Sequence, residues 1–139
     1  MQHFISGMEA VHDFKPFRQL FEADPESRKD LQYYENKYPP ALHPIVREHP
    51  VSKRKVLFVN PNFTSHINDV PEDESRHMLE FLYQHTQRPN WTVRFNWTNH
   101  SIACWDNRAV QHYAIWDYWP NERLGYRMFV GGTEQPRAG

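Results

Sequence analysis

Residues 71–87 carry the clearest periodicity in the chain. Met78, Leu79, Leu82 and Tyr83 share one face at helical spacing. Pro71 stands near the first turn, Glu72, Asp73 and Glu74 suit the positive end of a helix dipole, and Pro89 ends the run. From Trp91 the period changes to two. Trp91, Val93, Phe95 and Trp97 alternate with polar neighbours, which predicts a half-buried strand. Residues 55–59 (KVLFV) form a short apolar run that predicts a buried strand, broken by Asn60-Pro61-Asn62. Residues 102–105 and 123–130 predict two more strands, the second after the turn-like Tyr118-Trp119-Pro120-Asn121.

The N-terminal part is less regular. Residues 2–12 read as the tail of a helix leading into Val11-His12-Asp13-Phe14. Residues 15–42 are polar and punctuated by Pro16, Pro25, Pro39 and Pro40, so they predict a long excursion with a short helix near 26–36. Several short strands and one strong helix give a fold class that is mainly β with helices, a β-sandwich with helical decoration.

Composition narrows the function classes. The chain has 139 residues, enough for one domain, with 39% hydrophobic and 24% charged residues, a globular balance. Aromatic residues reach 15%, which favours a ring-rich core or a ring-lined pocket. The net charge of −1 points to neither nucleic acid nor an anionic membrane. No apolar stretch is long enough for a membrane span, and residues 1–10 do not read as a secretory signal. Cys104 is the only cysteine, so an intramolecular disulfide is impossible and a cytoplasmic home is expected. The four Asn-x-Ser/Thr sequons, at Asn62, Asn90, Asn96 and Asn99, are then chance occurrences.

Candidate chemistry concentrates after residue 104. His112, one of nine histidines, is either a hydrogen-bonded structural residue or a ligand for a first-row transition metal. Arg123, Gly125 and Arg127 fall at period two, so they share one face of the expected strand. Two arginines there either meet water or point inward and need anions, for which a guanidinium is suited to carboxylate or sulfonate. The period does not choose. His43 and His49, each followed by proline, mark a turn and a strand start. His77 and His85 are two helical turns apart, too far to share a ligand.

The residues His43-Pro44, His49-Pro50, Leu57-Phe58-Val59-Asn60, Phe63-Thr64, Trp105-Asp106-Asn107-Arg108, Gln111-His112-Tyr113-Ala114 and Arg123…Arg127 resemble the taurine dioxygenase family in order and spacing. The resemblance runs from about residue 4 to the end. It implies a double-stranded β-helix, or jelly roll, and an iron(II)- and 2-oxoglutarate-dependent dioxygenase that hydroxylates a sulfonate-type substrate with dioxygen, releasing sulfite, succinate and CO2. By the same resemblance His112 matches the distal histidine of a two-His, one-carboxylate iron site. Arg123 matches the arginine on the 2-oxoglutarate carboxylate, and Arg127 the arginine on the substrate sulfonate. Phe63, and with a one-residue gap Phe17, match rings of the substrate pocket.

One part of the pattern is missing. The family's other two ligands form a His-x-Asp pair upstream, and no histidine in this chain is followed two residues later by Asp or Glu. Residues 1–139 are therefore expected to be the C-terminal portion of a single such domain. The rival expectations are a non-catalytic remnant, a half-subunit needing an N-terminal partner chain, and an anion-binding β-sandwich without redox chemistry. Exposed edges of a halved sheet favour association, including a homo-oligomer.

Overall fold

The computed structural model describes residues 1–14, 27–132 and 138. A short helix α1 (Gln2–Ile5) leads through Gly7, whose φ of 92° needs a residue without Cβ, into strand β1 (Glu9–His12). The expected helix tail over 2–12 is thus a single turn followed by a strand. Helix α2 (Ser27–Lys37) lies where a short helix was expected, and strands β2 (Ala41–Pro44), β3 (Val46–Glu48), β4 (Lys55–Leu57) and β5 (Thr64–Ile67) follow. Helix α3 (Glu72–Thr86) matches the strongest sequence pattern, and a 3-10 turn at Pro89–Trp91 closes the ordered elements.

The strands form two antiparallel sheets, β2-β1-β5 and β3-β4. β1 pairs with β2 through Ala10↔His43 and with β5 through Ala10↔Ile67, with a register shift between Val11 and His12. β3 and β4 form a hairpin with Val46 opposite Leu57. A hairpin of this size is marginal in water. Its stability comes from the core, where Val46 is buried with Ile5, Ala10, Ile45, Val59, Ile67, Leu79 and Leu82.

Helix α3 docks through one stripe. Ser75, Leu79 and Leu82 are buried, while Met78 and Tyr83 pack at the rim of the core. Ser75 Oγ accepts the Ile67 N–H at 2.7 Å, joining α3 to the end of β5 inside the core. The Asn-Pro-Asn break after residue 59 is a side-chain-capped turn. Asn60 Oδ1 accepts the N–H groups of Asn62 and Phe63, and the Asn60 N–H donates to Thr64 Oγ1.

The three strands expected after residue 90 are not formed. Residues 92–132 contain no strand, and both sides of the alternating pattern face solvent: Val93 is 93% exposed and Met128 94%. Alternation encodes which side a strand would bury, but a strand also needs a neighbour for its N–H and C=O groups. None is supplied to this segment by the described residues. The result is a mixed helix–strand fold with antiparallel sheets, in which helix holds more of the described residues than strand.

Candidate functional site

The segment from Trp105 to His112 is built as a compact turn. The Asp106 carboxylate accepts the backbone N–H of Arg108 at 2.9 Å and its guanidinium at 2.7–3.2 Å. The Asp106 carbonyl accepts the N–H groups of Ala109 and Val110, both at 3.0 Å. The Trp105 indole N–H donates to Asn107 Oδ1 at 2.8 Å. This turn brings the chain back on itself, so the His112 ring stacks on Trp105 with centroids 4.9 Å apart and planes 24° apart.

Three side-chain bonds fasten the turn to the β3–β4 hairpin and to Val59 just after it. His49 Nε2 lies 3.0 Å from Asp106 Oδ2. An Arg47 Nη2–H donates to the Arg108 carbonyl. The Gln111 side-chain amide donates to the Val59 carbonyl at 2.7 Å. The Arg108 side chain, its backbone N–H and His49 together hold the Asp106 carboxyl far below the usual carboxylate range. Arg47 is itself buried, 7% exposed, with its guanidinium 3.9 Å from the centre of the Phe58 ring.

A second cluster lies where β1, β2 and the residue after β4 meet. The His12 and His43 rings are 5.0 Å apart edge to face, and both pack on Phe58. Thr64 Oγ1 is 3.3 Å from His12 Nε2. Burial, then the neighbouring His43, push His12 down to about 4, and Arg47 adds to this while a hydrogen bond from the imidazole to the Phe58 backbone opposes it. His43 is also lowered, by burial and then by Arg47. Both imidazoles are therefore neutral near pH 7.

The expected anion-binding residues lie farther along. Arg123 stands 5.7 Å from the Tyr118 ring and lines an open cleft with Trp116, Trp119, Asn121 and Glu122. Arg127 stands 4.4 Å from the Phe129 ring. Both are exposed, as are Leu124 and Tyr126 between them, so neither side of the 123–130 stretch is an interior face. Phe63 is partly exposed, with its ring 6.4 Å from Phe14. The cleft at Arg123 is not lined by His112, Arg127 or Phe63. Phe17 lies outside the described residues.

Among the described residues no three His, Cys, Asp or Glu side chains form a group able to hold a metal ion. An iron(II) site of the facial-triad kind needs two histidines and a carboxylate on one face. The described residues offer such a site His112 and no companion ligands, so by themselves they do not fit the ion. Sequence reasoning also missed Arg47, His49 and Gln111 as supports of the His112 turn. The one local signal was that Arg47 and His49 fall at period two, at and just beyond the end of β3. Their partners are 52 to 61 residues away, which no local pattern encodes.

Comparison with known proteins agrees with the family resemblance. An alpha-ketoglutarate-dependent sulfonate dioxygenase of Saccharomyces cerevisiae is 34% identical over 92% of this chain and 30% of its own length. An alpha-ketoglutarate-dependent sulfate ester dioxygenase of Pseudomonas putida is 38% identical over 65% of this chain and 30% of its own. A crystal structure of a taurine dioxygenase from Burkholderia xenovorans superposes with a TM-score of 0.52 at 33% identity, over 70% of this chain and 28% of that one. The chain thus spans about a third of the length of the curated relatives it matches. The family model described as taurine catabolism dioxygenase TauD, TfdA family matches residues 1–129. With its Trp105–Arg108 turn, its stacked His112 and this match over nearly its whole length, the chain belongs to the TauD/TfdA family of dioxygenases.

Proposed function

We propose that this chain is the portion of an iron(II)- and 2-oxoglutarate-dependent dioxygenase that carries the distal histidine ligand, His112, and both anion-binding arginines. The observation that carries the reading is the Trp105–His112 turn. It is folded on its own hydrogen bonds, presents an exposed imidazole, and is fastened to the sheet region by the side chains of Arg47 and His49 and by the Val59 carbonyl, which accepts the Gln111 amide. In this reading residues 1–139 are the C-terminal portion of one jelly-roll domain. The His-x-Asp pair comes from the part of the relatives' length that this chain does not span.

When bound, the iron and 2-oxoglutarate supply the oxidising chemistry, with dioxygen as oxidant. The side chains of this chain bind and orient. Arg123 holds the carboxylate of 2-oxoglutarate, and Arg127 holds the sulfonate of the primary substrate. Phe63, with Phe17, supplies apolar wall to the pocket. A guanidinium presents two parallel N–H donors that match either anion, and Arg123 and Arg127 each lie beside an aromatic ring. The favoured substrate is a small sulfonate, from which hydroxylation next to sulfur releases sulfite, with succinate and CO2 from the cosubstrate. The likeness to a sulfate ester dioxygenase supports a sulfate ester as the alternative. The setting is the cytoplasm.

The second reading is a non-catalytic half-subunit or remnant, favoured by the single iron-ligand histidine among the described residues. One experiment separates the two. The chain is combined with a polypeptide that supplies the His-x-Asp pair, and anaerobic Fe(II) binding and succinate formation are measured with and without His112→Ala. Loss of both on substitution supports the ligand assignment. Turnover that survives His112→Ala removes it, and failure of the wild-type chain to bind iron in the combination favours the non-catalytic reading.

A further inference from the structure

We infer that Arg47 and His49 are positioning residues for the turn that carries His112, and that the decisive contact is the His49 Nε2–H on the Asp106 carboxylate. Arg47 lies in β3 and His49 directly follows it, and each is buried to 7% exposure, an unusual place for a cation and an imidazole. Their backbones belong to the hairpin, while both side chains reach across to the turn.

The geometry around His49 fixes its tautomer. Nδ1 accepts the backbone N–H groups of Val51 and Ser52, at 3.3 and 3.0 Å, so Nδ1 carries no hydrogen. The ring proton is then on Nε2, 3.0 Å from Asp106 Oδ2, where it donates to a carboxylate. The bend at residues 49–52 thus aims the donor, and Asp106 receives it on one oxygen while the other oxygen accepts the Arg108 N–H that closes the turn. Asp106 is also the favourable charge for the buried Arg47, whose Nε has no hydrogen-bond partner. Removing the carboxylate charge would leave a buried guanidinium supported by the Arg108 carbonyl and the Phe58 face. Gln111, next to His112, adds the third fastening through the Val59 carbonyl. The clasp therefore grips the turn at Asp106, at Arg108 and immediately before His112. Its service to a metal ligand rests on the reading of His112 given above, but its effect on the turn does not.

Two substitutions at His49 separate this role from an ordinary turn-forming one. Gln places an amide N–H near the Nε2 position and keeps a donor for Asp106 but not the Nδ1 acceptor. Asn places its amide near Nδ1 and does the reverse. Hydrogen exchange of the Arg108, Ala109 and Val110 amides, read by NMR on the full 139-residue chain, is expected to rise about tenfold in His49→Asn and to stay near wild type in His49→Gln. Asp106→Asn, at a partly exposed position that the core does not need, is expected to show the same rise with α3 amides unchanged; it carries the test if His49→Asn does not fold. Equal loosening by Gln and Asn, or no change in Asp106→Asn, overturns the clasp. If the exchange pattern holds while His112→Ala leaves iron affinity in the combined protein unchanged, the clasp stands and the ligand assignment fails.

Discussion

Arg123 and Arg127 are four positions apart, yet each is paired with a different aromatic ring, Tyr118 and Phe129. Separate seats suit separate anions. In the combined enzyme, Arg127→Ala is expected to raise the KM for the sulfonate by about tenfold or more while that for 2-oxoglutarate moves by less than about twofold, and Arg123→Ala the opposite. Steady-state kinetics with each substrate varied in turn checks this, and equal effects on both constants would reject the division of labour. Ser75 belongs to the same scale. Its hydroxyl is the partner of the Ile67 N–H in a fully buried setting, so Ser75→Ala leaves an orphaned donor. A loss of about 1–3 kcal/mol in urea unfolding is expected. The motif residues and their spacing could be read directly along the chain. The tautomer of His49 could not, because it follows from two backbone N–H groups brought round by a bend.

Helix α3 and the β1–β2 pair show what elements add. Leu79 and Leu82 were legible as a helical stripe, and both lie in the core against Ile5, Ile45 and Ile67. Leu79→Ala is expected to destabilise by about 2–5 kcal/mol, measured in the same unfolding experiment, because the rigid sheet beneath α3 has little freedom to fill the cavity. His12 gives β1 a pH dependence. Its folded-state value is lowered to about 4, by burial first and then by His43, while the unfolded chain titrates near the ordinary 6.5. Between those values the unfolded state binds more protons than the folded one. Stability is therefore full above pH 6.5 and falls as the pH drops toward 4. Thermal unfolding across pH 4–7 should show this decline, and it should be shallower in His12→Asn. The residual slope reports His43, which is lowered in the same direction. The two histidines meet because β1 and β2 pair in the register Ala10↔His43, a tertiary fact that the His-Pro spelling at 43–44 does not contain.

At the scale of the whole molecule, residues up to 86 hold the core, whereas residues 92–132 run without a ladder and expose Trp, Tyr, Phe and Met side chains. Amides in 92–104 and 113–132 are expected to exchange orders of magnitude faster than those of α3, and the chain alone should bind a hydrophobic dye or self-associate as its concentration rises. Light scattering and dye fluorescence check the second point; slow exchange throughout 92–132 would show that these residues find a ladder in solution. By itself the sequence determined α3, the turn chemistry at Asn60, the order of the Trp105–Arg108, His112 and arginine motifs, and with them the family. The helix and the turn depend on neighbours within a few residues, which local propensity encodes, and the motifs point to the family through their resemblance in residue order and spacing. The tertiary structure alone decided that the alternating stretches after residue 90 are not strands here, that His12 meets His43, and that Arg47 and His49 grip the His112 turn. Each of those depends on which distant backbone lies alongside, and a strand pattern records only the side it would bury, never the partner that completes it.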